Sequence, residues 1–223
     1  MARPSGIQPS ELRLFLLKTV LFPRQEIQLV VFEPRYHELL RACLEAGEPF
    51  GVALIREGPE VGGTAVPYSV GTTALIQHAR PLPDGRVALE VRGDARFRIV
   101  ATHDDRAYPW ADVEYPADAD ASTLLPIEVE RIRDAYRQVV RLRQAGAGEY
   151  ERNIEAPADP AALADAVGAL KLGSSPQRQR ILEPDDPRTR LTRAGELLAR
   201  ALEGVQRQSQ RAVAERVRGP RLN

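Results

Sequence analysis

The apolar residues of this 223-residue chain change their spacing at Pro116, and that change constrains the fold more than any other feature. Before it, apolar positions recur every second residue in short runs, as strands require. After it they recur at intervals of three and four, as amphipathic helices require. Strands gathered in one half and helices in the other predict an α+β fold rather than alternating β-α-β units.

In the first half, residues 12–17 and 26–32 read as strands, with Ile27, Leu29 and Val31 on one face of the second. Phe22-Pro23-Arg24 bends the chain between them, because proline fixes φ and lacks an N–H. Further strands are predicted at 50–56, 69–78, 86–91, 96–102 and 110–115. Pro83-Asp84-Gly85 predicts a hairpin joining strands that end near Arg80 and begin near Arg86. One helix interrupts them. Pro34 suits its start, Tyr36, Leu39, Leu40, Cys43 and Leu44 form its apolar stripe, and Gly47 stops it. Cys43 reads as a buried structural thiol.

Residues 117–122 are small and acidic, a predicted linker. Ile127, Val129, Ile132, Tyr136, Val139 and Val140 then fit a helix ending near Gly146 to Gly148. Asp159-Pro160 caps the next, Ser175-Pro176 opens a short one through Leu182, and Asp186-Pro187 starts the last. Leu191, Ala194, Leu198, Ala201, Leu202 and Val205 stripe that last helix, and the stripe fades beyond. The predicted units are 8–117 and 118–223.

Charge narrows the function. Thirty-one basic residues balance 31 acidic ones, so no global field draws polyanions. Lys18 and Lys171 are the only lysines, and neither stands in the Gly-Lys-Ser/Thr setting of a P-loop. His37, His78 and His103 stand apart from one another, and one cysteine cannot complete a Cys-rich zinc site. Asp104-Asp105 and Asp185-Asp186 suit turns and caps. We therefore assign no catalytic residue, metal ligand or cofactor from the sequence. No apolar run reaches the roughly 18 residues of a membrane span, and the first residues do not resemble a secretory signal. A cytoplasmic protein away from membranes is expected.

Several blocks in order carry a family resemblance. Val20-Leu21-Phe22-Pro23, Leu29 and Phe32-Glu33-Pro34-Arg35-Tyr36 resemble the amino-terminal substrate-binding domain of Lon proteases. Phe50-Gly51-Val52, Val70-Gly71-Thr72-Thr73-Ala74-Leu75-Ile76, Leu82-Pro83-Asp84-Gly85-Arg86 and Gly93-Asp94-Ala95-Arg96-Phe97-Arg98-Ile99 are similar to its later strands and turn. Tyr108-Pro109-Trp110-Ala111-Asp112-Val113-Glu114 matches the closing strand, and Asp159-Pro160, Leu163-Ala164-Asp165 and Leu170-Lys171-Leu172 resemble the helical part.

The resemblance implies a PUA-like pseudo-barrel of about six strands with one inserted helix, followed by a helical bundle ending in a long helix. It also implies a non-enzymatic module for unfolded or partly folded polypeptide. The chain ends at Asn223 without the lysine settings of the family's ATPase or Ser–Lys protease, so a free-standing domain is expected. A protease or chaperone supplied by another chain is an expected partner. Self-association through the arginine-rich segment after Val205 is another. An RNA- or small-ligand-binding PUA-like protein is the alternative, and the charge balance weighs against nucleic acid.

Glu33, Arg35, Tyr68, Arg96 and Arg98 are the candidate peptide-binding residues. Arg96 and Arg98 alternate with Phe97 and Ile99, so they share a sheet face expected to be solvated or paired with Glu33 or a ligand carboxylate. Tyr68 follows Pro67 and is expected to be exposed. Trp110 is expected where the barrel meets the helices.

Overall fold

A computed structural model describes residues 10–117, 124–147 and 154–218. Its strands are β1 (Glu11–Leu17), β2 (Glu26–Val31), β3 (Phe50–Glu57), β4 (Val66–Pro67), β5 (Val70–Pro81), β6 (Val87–His103) and β7 (Trp110–Glu114). Helix α1 (Pro34–Ala46) lies between β2 and β3; α2 (Pro126–Ala147), α3 (Pro160–Ala169), α4 (Ser175–Leu182) and α5 (Pro187–Arg218) follow the strands. Nearly all of the predicted linker lies outside the described residues, as do residues 219–223. The described α5 backbone continues past Val205 to Arg218; the stripe predicted to fade there concerns side chains outside the description.

β1 runs antiparallel to β7 and parallel to β3, so the order β1-β7-β6-β5-β3 closes on itself as a small pseudo-barrel. β2 adds to β6, and the two-residue β4 to β3. Closure explains why β1 is apolar almost throughout: both its faces are covered. Leu12, Leu14 and Leu16 face a cluster with Phe97, Ala111 and Val113. Phe15 and Leu17 face a second cluster that α1 covers with Tyr36, Leu39, Leu40 and Cys43. Leu44, the last residue of the predicted stripe, is instead 52% exposed. At the helix ends Pro34 occupies the first turn, and Gly47 takes a left-handed conformation at φ 66°.

The seven predicted strands become six long ones, because 86–91 and 96–102 are one strand, β6; β4 is the seventh. The predicted strands leave 92–95 unassigned, and β6 runs straight through them, Gly93 included. The Gly93 N–H donates to Gln25 O and its C=O accepts from Arg24 N–H, both at 2.8 Å. A Cβ at Gly93 would lie 2.1 Å from Phe22 O, so the Phe22–Arg24 bend can dock only on a glycine.

The helices carry a third apolar cluster, and the barrel contributes Val20, Phe22, Leu54 and Val70 to it. Polar groups complete the join. Gln179 Nε2 donates to Val70 O at 2.9 Å, and Ser175 Oγ to Lys18 O at 2.8 Å. The predicted caps form: Asp159 accepts from Ala162 N–H, and Asp186 from Thr189 N–H. Helix α4 opens at Ser175 as predicted, and Ser174 caps it in a reciprocal box with Gln177.

Candidate functional site

The alternation of β1 that fills the barrel also floors a cleft at its mouth. Leu14 and Leu16 lie at the bottom, residues 63–67 form one wall, and residues 102–109 between β6 and β7 line the other side. Arg35, from the first turn of α1, also lines it, and the volume is about 350 Å³. Barrel mouths are common ligand sites, because the closed sheet supplies apolar depth and the loops supply polar groups.

The Glu33 and Arg35 pair builds the first wall. Their side chains lie 3.0 Å apart. Glu33 accepts from Gly62 N–H at 3.1 Å, and Arg35 donates to Gly63 O at 3.1 Å and Glu60 O at 3.3 Å. The start of α1 thus fastens the 60–63 loop. Tyr36 stacks on Phe15 with centroids 3.9 Å apart, and its hydroxyl accepts from Leu16 N–H at 3.3 Å. Burial holds that hydroxyl above its ordinary pKa, so it remains a neutral part of the floor's support.

The other wall is aromatic and basic. His103 stacks on Trp110 at 4.0 Å, and the Arg106 guanidinium lies 3.8 Å from the same ring. Asp112 lies 2.8 Å from His103 Nε2, Glu11 accepts from Arg106 at 2.9 Å, and Asp105 accepts from Trp110 Nε1 at 2.7 Å. That indole bond holds the Asp105 carboxyl below the usual range. Trp110 therefore fixes the β6–β7 connection instead of sitting between barrel and helices.

The remaining candidate residues lie elsewhere. Arg96 and Arg98 do share a face, but it meets the α4–α5 connection and neither arginine pairs with Glu33. Arg96 is buried and donates to Leu182 O at 2.9 Å and Pro184 O at 2.8 Å. Arg98 makes two bonds to Asp185, at 2.8 and 3.0 Å. Tyr68 is half-buried and packs on the helical cluster. Of the five candidates the structure thus joins Glu33 with Arg35 and, separately, Arg96 with Arg98. Arg35 is the one sequence candidate in the cleft lining; Thr64, Thr102 and the rest were not singled out, because no local period marks a residue that two distant strands bring to a rim.

Cys43, on the buried side of α1, faces the protein. Burial pushes its thiol up to about 11, against a smaller opposing pull from Arg13. The folded value lies above the unfolded 9.0, so this contribution is complete below about pH 9 and is lost as pH rises toward 11. Urea midpoints should therefore fall over that interval, less steeply in Cys43→Ala. Iodoacetamide at pH 8 should label the native protein far more slowly than the denatured one; prompt native labelling would contradict the burial.

A closed barrel braced by a helical bundle, with an arginine-rimmed apolar cleft at its mouth, is the architecture that the comparisons with known proteins can place. The model of the ATP-dependent protease La (LON) substrate-binding domain matches residues 11–200, and the chain belongs to that family. The Lon protease of Trichlorobacter lovleyi is 32% identical over 155 residues, which are 66% of this chain and 19% of that protein. That of Solibacter usitatus is 34% identical over 59% of this chain and 16% of the relative. The matched region is thus less than a fifth of either relative. Among solved structures, the Lon N-terminal domain protein from Xanthomonas campestris is 30% identical with a TM-score of 0.60, covering 86% of this chain and 98% of that one. The N-terminal domain of Mycobacterium avium complex Lon protease, 21% identical, shares the fold at a TM-score of 0.67, over 85% of this chain and 98% of that one. Among the described residues no helix is long and apolar enough to cross a membrane.

Proposed function

We propose that this chain is a non-enzymatic recognition module for unfolded or partly folded polypeptide, and that it works in the cytoplasm. The observation that carries the reading is the cleft at the barrel mouth, on a domain whose family is described as substrate-binding. Val66, Pro67, Tyr108 and Pro109 offer apolar surface around the cleft over the buried Leu14 and Leu16, and a segment that native folding would bury gains by covering it. Glu33 and Arg35 shape the rim; Tyr68, Arg96 and Arg98 hold the helical bundle in place. A protease or a chaperone is the proposed partner that receives the bound polypeptide. The segment of α5 beyond Val205 is the proposed self-association surface.

A fluorescent, reduced and carboxymethylated protein that cannot refold is the direct probe. The chain should bind it, and Thr64→Trp, which fills the cleft from an exposed rim position, should weaken binding at least tenfold with little change in melting temperature. Equal binding by the variant would move the site elsewhere; no binding by the parent chain would overturn the reading. Sedimentation of the same samples, with and without residues 205–223, tests self-association.

A further inference from the structure

The polar groups of the cleft point to one part of a polypeptide in particular. Arg35, His103 and Arg106 line the cleft, and Asp104 is the sole carboxylate among its lining residues. Glu33 and Glu11, the acidic partners of Arg35 and Arg106, are not lining residues, nor is Asp112, which lies against His103. Both arginines therefore turn toward the cleft while their acidic partners do not, and the two of them outnumber Asp104 around the apolar floor. Arg106 is the most available of the three. It is 39% exposed, and among the described residues its one hydrogen bond goes to Glu11, which leaves most of a guanidinium's five N–H donors for a ligand. Arg35 has committed its terminal nitrogens to Glu33, Glu60 and Gly63, so it contributes charge and shape more than new bonds.

Size narrows the ligand further. About 350 Å³ is at the small end of the ~300–1,000 Å³ range of ligand clefts, enough for a side chain or two. An extended chain running through would need far more length than that. A chain that ends there fits the volume, and it brings one apolar side chain together with one carboxylate.

Building on the reading of this cleft as a polypeptide site, we propose that its occupant is the C-terminal residue of a client. An apolar side chain packs on Val66, Pro67 and Pro109 above the buried Leu14 and Leu16, and the free α-carboxylate accepts from Arg106 within the field of Arg35. Such charge-assisted bonds are roughly twice as strong as neutral ones, so selectivity for a free terminus follows directly.

The test uses the whole chain and four labelled nonapeptides of one sequence ending in Ala-Leu. One has a free C-terminus, one is amidated, one is extended by three serines, and one is amidated with glutamate before the leucine. The free acid should bind at least tenfold tighter than the other three, and Arg106→Gln should reduce it to the amide's affinity. Added salt should weaken the free acid most. Equal binding of all four, or of the glutamate peptide and the free acid, would overturn the terminal carboxylate as ligand. Failure of all four alongside retained binding of the unfolded protein would do the same and leave the recognition module standing. Loss of binding to the unfolded protein as well would mean that the broader reading had failed.

Discussion

Gly71→Val should leave little folded protein at 25 °C. A Cβ at Gly71 would sit 2.4 Å from Val52 O and 2.5 Å from the tip of the Phe97 ring. The first neighbour is backbone of a paired strand, and the second is a fully buried ring inside the closed barrel. Neither can move without opening a strand pair. Overpacking costs about 1–3 kcal/mol where side chains can give way, and a backbone clash exceeds that range. Domain stability is only about 5–15 kcal/mol in total, so the variant should lose most of its urea midpoint. Gly47→Ala is the control. It has nothing within 4 Å of its Cβ and bears only the strain of φ +66°, about 1–2 kcal/mol. If Gly71→Val melts within a few degrees of the parent, the packing of Phe97 against β3 and β5 is wrong.

Arg190→Met should cost about 3–5 kcal/mol, because it removes the guanidinium that holds Asp165 between α3 and α5. Arg190 is fully buried, and Asp165 is 6% exposed. Desolvating two charges offsets most of their attraction, so the pair adds little net stability while either single loss is severe. The double variant Arg190→Met, Asp165→Leu should therefore recover much of the lost stability. A urea-denaturation cycle over the four proteins reads this as a large coupling. Additive losses would show that the two side chains do not act as a pair.

Local signals in the sequence were read well. Proline after an aspartate or serine marked the starts of α3, α4 and α5, since capping chemistry is settled within four residues. The period-two runs located six of the seven strands, and Gly47 marked the end of α1. What the sequence did not show was mostly long-range. The continuity of β6 through Gly93 depends on a turn that lies about seventy residues earlier in the chain. Arg96 looked like a surface charge because its acceptors, Leu182 O and Pro184 O, are contributed by the other half of the protein. The pairing of Glu33 with Arg35 was within reach of a local reading. The cleft they border was not, because it exists only once β1 lies beside both β3 and β7.

That closure has a consequence for how the protein is made. Leu12 pairs with Ala111, so the first of the described strands waits for the last of them. At synthesis rates of about 5–20 residues per second, the 99 positions from Leu12 to Ala111 take about 5–20 s. During that interval Leu12, Leu14 and Leu16 have no completed barrel to enter. A domain that we propose recognises unfolded segments of other proteins passes, at its own birth, through an unfolded state of the same kind.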